Sequence, residues 1–181
     1  MNSIVLLALK EEAPELTQYP WVFFTGLGKV NAAAKTAELI AEYQPKHIIN
    51  FGTDGGITVS TGLHSVTKFV QRDMHCEALG YAVGETPNDD TDIMLDLGRT
   101  GLTCSTGDNF VADPVLEIPA DLVDMESYAI AKVCLRKNVE FSCYKFVSDS
   151  ADSQAHLSWT KLVSQGQEFY IKKLQDLGFE L

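Results

Sequence analysis

The sequence predicts a single three-layer α/β domain, with helices on both sides of a central sheet. Three observations carry that prediction: apolar runs that are continuous rather than alternating, glycine-containing turns directly after them, and helical stretches between them in strand-helix-strand order. The chain has 181 residues, 45% of them hydrophobic. That is enough for one buried core and not for two, so residues 1–181 are expected to form one domain.

Taken in order, Ile4 to Leu9 is continuously apolar and bounded by charge, and reads as an interior strand. Trp21 to Gly26 gives a second strand, followed by GLGKVNAAAKTAELIAEY, in which Val30, Ala33, Ala34, Ala37, Ile40 and Ala41 recur at helical spacing. Pro45 ends that helix, and His47 to Gly52 supplies the next strand. HSVTKFVQRD alternates more than it runs apolar and suggests a longer, partly exposed strand of undefined register. Gly84 to Arg99 is rich in Asp and turn formers and reads as a surface loop or an irregular connection. A strand returns at Leu102, DLVDM from Asp121 leads into a helix through Cys134, and FSCYKFVSD from Phe141 is another buried strand. Trp159, Leu162, Val163, Phe169, Tyr170 and Leu174 make an apolar helical stripe after Ser158, a plausible N-cap. The total is about six or seven strands.

Charge narrows the function classes. The 25 acidic and 14 basic side chains leave a net charge of -11, with no basic cluster, which opposes a nucleic-acid groove or an anionic membrane surface. The only arginines are Arg72, Arg99 and Arg136, too few for a site built on several bidentate phosphate clamps. The first apolar run lacks a basic flank and is broken by Lys10-Glu11-Glu12, unlike a signal peptide or a membrane span. Cys76, Cys104, Cys134 and Cys143 lack CxxC spacing and are expected to be buried free thiols, so the chain is expected in the cytoplasm.

Gly26-Leu27-Gly28-Lys29-Val30-Asn31 begins like a dinucleotide fingerprint, but Asn31 replaces the third glycine and Lys46 stands where a ribose-binding acid is needed. No cofactor is expected. A second glycine group, Gly52-Thr53-Asp54-Gly55-Gly56, follows a strand at the edge where open α/β sheets bind ligands, or simply forms a turn. Glu11 and Glu12, Asp124 and Glu126, and Asp149 and Asp152 follow three interior strands. Singly each is a cap or a solvated acid, whereas together they favour a general acid/base site. His47, His64, His75 and His156 show no ligand spacing with them, so no metal is expected. A serine nucleophile lacks both GxSxG and a partner histidine.

The stretches ALKEEAPEL (8–16), TGLGKVNAAAKTAELI (25–40), IINFGTDGGI (48–57), RDMHCEALGY (72–81), TGDNFV (106–111), VDMESYAIAKVC (123–134) and FVSDSAD (146–152) resemble, in order, the nucleoside phosphorylase and nucleosidase family. Within it they look most like the 5′-methylthioadenosine/S-adenosylhomocysteine nucleosidases. The resemblance implies an α/β/α sandwich around a mixed sheet and cleavage of the N-glycosidic bond of a purine nucleoside, with adenine the expected base. It implies that Glu12 activates the attacking water and that Asp149 is the general acid at purine N7. Glu126 would accept ribose hydroxyls, Met125 would pack on the ribose, Phe110 would stack on the base, Val111 would hydrogen-bond its edge, and Thr53 would lie near the sugar.

Several departures from the family pattern matter. Asn50 stands where phosphorylases carry an arginine, which points to water rather than phosphate as the nucleophile. Lys10 replaces an expected acid and is read as neutralising the surroundings of Glu12, His75 replaces another acid, and the chain is short between about residues 82 and 101. Hydrolysis is therefore the leading expectation, with phosphorolysis and a non-catalytic nucleoside-binding protein as alternatives. A homodimer whose neighbour covers the 5′ side of each pocket is expected, since so short a chain has little left to cover a ligand.

Overall fold

The computed structural model describes residues 2–111, 116–150 and 163–181, with backbone only for 148–150. The described residues form eight strands and three α-helices: β1 (Ser3–Leu7), β2 (Val22–Phe24), α1 (Lys29–Tyr43), β3 (His47–Gly56), β4 (Gly62–Gln71), β5 (Leu95–Asp96), β6 (Leu102–Thr106), β7 (Leu122–Asp124), α2 (Ser127–Arg136), β8 (Glu140–Ser150) and α3 (Gln167–Asp176). The sheet is mixed, in the order β2-β1-β3-β7-β6-β4-β5, and β8 pairs with both β3 and β4. The pairings β3-β8-β4-β6-β7-β3 therefore form a closed circuit, from which β1, β2 and β5 extend.

The continuous apolar runs follow from burial on both faces. Ile4, Leu6 and Ile48 face one core with residues of α1 and α2, whereas Val5, Leu7, Ile49 and Phe51 face a second core with Tyr170 and Leu174 of α3. A strand alternates its side chains between faces, so a run buried on both must be apolar at every position.

Three expectations need correction. The buried face of α1 is Ala32, Thr36 and Leu39, and Val30 is 77% exposed. Alanines on every side of this helix let two faces fit the same period, and Thr36 is tolerated inside because its hydroxyl donates to Ala32 O. The glycine group after His47–Gly52 is strand, not turn. β3 runs on to Gly56, where Gly55 and Gly56 pair with Val123 and Leu122 on one side and with Asp149 and Ser150 on the other. In the tail, α3 begins only at Gln167 and Val163 lies in a turn. A side chain at Gly166 would collide with Tyr170 and Phe146, so the turn passes too close to the core for anything but glycine. Ser158, Trp159 and Leu162 lie outside the described residues.

The Gly84–Arg99 stretch is a tethered loop. Gln71 Nε2 donates to Gly84 O and Thr86 Oγ1, Lys132 and Arg136 each reach Asp89, and Leu97 N bonds Thr67 O beside β5. Cys104, Cys134 and Cys143 are buried free thiols, and Cys76 is half-buried and free. Among the described residues, no helix is long and apolar enough to cross a membrane.

Candidate active site

A cleft opens at the carboxyl ends of β1 and β3 and the end of β7. It is lined by Glu12, Thr53, Asp54, Arg72, Asn109, Phe110, Val111, Asp124, Met125 and Glu126, with apolar contributions from Ala8, Leu9, Leu27 and Val123. Glu12, Thr53, Phe110, Val111, Met125 and Glu126 were expected at a common site from the sequence and come together here. Asp149 reaches it by backbone register alone, opposite Gly55 on β8, and its side chain lies outside the described residues, as do Asp152 and His156.

Glu12 sits on a turn that folds the chain back after β1. Its Oε2 accepts the N–H groups of Ala8 and Leu9, each at 2.9 Å, and its Oε1 accepts that of Thr53 at 2.8 Å. Burial raises its pKa, opposed by the Leu9 N–H and the charge of Lys145. The cation that acts on Glu12 is thus Lys145, and not the exposed Lys10 expected from sequence. Thr53 contributes to the cleft chiefly through its backbone, because its hydroxyl donates to Val163 O at 3.2 Å and faces the Tyr170 hydroxyl.

Glu126 follows β7 at the start of α2. The N–H of Gly28 donates to its Oε1 at 2.8 Å, and the N–H of Lys29 donates to Asp108 Oδ1 at 2.7 Å. The glycine motif therefore brings the N-terminus of α1 against two of the chain's own carboxylates, and Gly28 holds a φ of +89° that other residues rarely adopt. Burial, followed by the charge of Asp124, pushes the Glu126 pKa up to about 7.

Beneath the cleft lies a buried ionic cluster whose members stand far apart in the sequence. Lys145 Nζ donates to Asp124 Oδ2 at 2.8 Å and stands 3.2 Å from Asp54 Oδ1, off the hydrogen-bonding direction. Burial would raise the Asp124 pKa, but Lys145, the Thr106 hydroxyl and the Ser127 N–H bring it down to about 2. Among the described residues, Lys145 and the Cys104 thiol are the groups that favour a charged Asp54, and burial outweighs them, so its pKa rises well above the usual carboxylate range. A Cβ at Gly52 would lie 2.8 Å from Lys145 Nζ and 3.5 Å from Glu12 Oε1, which explains the glycine in mid-strand. The one available sequence signal was a lone lysine inside the apolar run FSCYKFVSD. Asp54, Cys104 and Asp124 have the spacing of a metal site, but Lys145 already supplies the cation there.

Arg72 was also missed as part of the site. Its Nη1 donates to Ser105 O and Asp124 O, and its Nη2 to Gly107 O and Asn109 O. Asn50 is buried and bonds Leu6 O and Phe51 O, a structural role. His75 is exposed and faces Glu77 at 3.3 Å.

Known proteins resemble this chain in sequence and in fold. A family model described as the Phosphorylase superfamily matches residues 15–106. The 5′-methylthioadenosine/S-adenosylhomocysteine nucleosidase of Bacillus cytotoxicus is 29% identical, over 84% of this chain and 79% of that protein. Futalosine hydrolase of Helicobacter pylori superposes with a TM-score of 0.86 at 20% identity, covering 96% of each chain. A nucleosidase of Colwellia psychrerythraea, solved in complex with adenine, gives 0.76 at 21% identity over 90% of this chain and 88% of that one.

Proposed function

The chain belongs to the phosphorylase superfamily, and from that premise we propose that it hydrolyses the N-glycosidic bond of an adenine nucleoside of the 5′-methylthioadenosine or S-adenosylhomocysteine kind. The observation that carries this reading is Glu12, a buried carboxylate held by three backbone N–H groups on the floor of the cleft. The sequence relatives named as nucleosidases of those two substrates support it.

In this reading Glu12 orients a water molecule and takes its proton as the oxygen bonds to C1′. The C1′–N9 bond breaks and its electron pair moves into the purine, where Asp149 protonates N7 so that a neutral base leaves. Positive charge develops on the ribosyl ring, and nearby carboxylates stabilise that state more than the neutral substrate. Glu126, with Oε1 fixed by Gly28, has Oε2 to accept the sugar hydroxyls, and Met125 packs on the ribose. Phe110 stacks on the base and the Val111 backbone bonds its edge. Water is favoured over phosphate for an electrostatic reason. The N-terminus of α1 is capped by Glu126 and Asp108, the Arg72 guanidinium is held by four carbonyls, and Lys145 is held between two carboxylates. No cofactor takes part.

The protein acts as a single cytoplasmic domain and as a homodimer whose neighbour covers the 5′ side of the cleft. Leu27 and Phe110 at the cleft and Val30 on the first turn of α1 are large apolar side chains left exposed, which supports such a contact. Sedimentation equilibrium at twice the chain mass supports the dimer, and a monomer at every concentration with constant specific activity refutes it.

The central test is chromatographic detection of free base from a panel of purine and pyrimidine nucleosides, with and without phosphate. Adenine release without phosphate is expected, falling by about 10²–10⁴-fold in Asp149→Asn. Phosphate-dependent release would mean phosphorolysis, and saturable binding without product would mean a binding protein.

A further inference from the structure

Resting on the assignment of Phe110 and Val111 as the base wall, we propose that Arg72 and Asp73 are positioning residues that clamp the base-wall loop 107–111 from both sides and so set affinity for the leaving base. Phe110 needs such a device. Among the described residues it is 51% exposed and belongs to none of the buried clusters, so their packing does not fix its ring. What holds it is the polar scaffold of its own loop.

These two residues follow directly after β4. The Arg72 backbone continues the ladder by donating to Thr106 O. Its guanidinium then lies flat across Gly107, where an added Cβ would meet Arg72 Cγ, Cζ and Nε at 2.9 Å. From there its two terminal nitrogens take the carbonyls of Ser105, Gly107 and Asn109 and, on the ribose side of the cleft, of Asp124. The N–H of Gly107 donates to that same Asp124 carbonyl. One planar cation thus joins the loop to the strand end that precedes Met125 and Glu126.

Asp73 holds the opposite polarity of the loop. Its Oδ2 accepts the N–H of Asp108 at 2.8 Å and its Oδ1 pairs with Lys29 Nζ. Lys29 N in turn donates to Asp108 Oδ1. The base wall is thereby tied to the first turn of α1, and Gly28, just before that turn, holds Glu126. A guanidinium suits the first task because its fork offers several coplanar donors, which an ammonium on a flexible stem does not.

Arg72→Lys keeps the charge and loses the fork, and Asp73→Asn keeps the shape and loses the charge. Both are measured for adenine affinity by calorimetry, for KM and kcat in the nucleoside assay, and for amide exchange. In each variant adenine binding is expected to weaken and KM to rise by about tenfold or more, with kcat within about threefold of wild type, because stacking serves ground and transition states alike. Exchange at Gly107 and Asp108 should quicken by about tenfold or more while the last turns of α1 stay protected. Wild-type affinity, KM and exchange in folded Arg72→Lys and Asp73→Asn overturn the clamp. Equal loss of protection across α1 would show a general structural role and overturns it as well. If wild type releases no base from any nucleoside, the hydrolase reading fails, and the adenine affinities and exchange rates still decide the clamp.

Discussion

Lys145→Met removes the one cation that, among the described residues, forms an ion pair with Asp54 and Asp124. Lys145 is 2% exposed, with Nζ 2.8 Å from one carboxylate and 3.2 Å from the other. Breaking a buried pair in this way costs about 3–5 kcal/mol, because the orphaned charges stay buried. At about 2–4 °C per kcal/mol for a domain of this size, Tm should fall by roughly 6–20 °C. The pH dependence is more diagnostic. In wild type the Asp124 pKa is held at about 2, below its usual 3.8, so its contribution is complete above 3.8 and is lost as pH falls through about 2. Without Lys145, the Thr106 hydroxyl and the Ser127 N–H are left to oppose burial, so the Asp124 pKa rises and the variant is expected to lose stability as pH rises from 4 toward 7. The gap between the two proteins should therefore be widest at neutral pH and narrow toward pH 4. Adding Asp124→Asn to the variant should recover much of the loss. Urea denaturation across that range is the assay. A loss below about 1 kcal/mol at pH 7, or a gap that does not change with pH, would refute the argument that the cluster is held by its lysine.

Gly52→Ala should lower stability by about 1–3 kcal/mol and slow adenine release, since the new methyl meets Lys145 Nζ at 2.8 Å; wild-type values for both in denaturation and rate assays would contradict the placement. Glu126→Gln should be inactive yet more stable at pH 8, by at most about 3 kcal/mol, and no more stable at pH 4. Ionising Glu126 between its usual 4.5 and about 7 opposes folding, and the glutamine keeps an acceptor for Gly28; a stability difference that is flat with pH would count against that shift. Glu12→Gln should bind substrate normally by calorimetry while base release falls by about 10²–10⁴-fold, and lost binding with unaltered turnover per occupied site would reassign its role.

Much of this protein is written in local pattern. The double-sided burial of β1 and β3, the helix broken before Pro45 and the junction at Asp124-Met125-Glu126 follow from spacing alone, because strand and helix periods act over a few residues. That Glu12, Phe110, Val111, Met125 and Glu126 share one site is what the family resemblance implies, and no period or spacing carries it. The tertiary structure decided what depends on neighbours distant in sequence. It chose which alanine face of α1 is buried, carried β3 through its glycines, and turned the Gly26–Gly28 motif toward Glu126 rather than a phosphate. It also brought Lys145 from the last strand to Asp54 and Asp124, and Arg72 to the carbonyls of Ser105, Gly107, Asn109 and Asp124. A buried charge is stable only against a specific partner, and which partner stands opposite is fixed by sheet pairing over about a hundred residues, a distance at which no local period carries information.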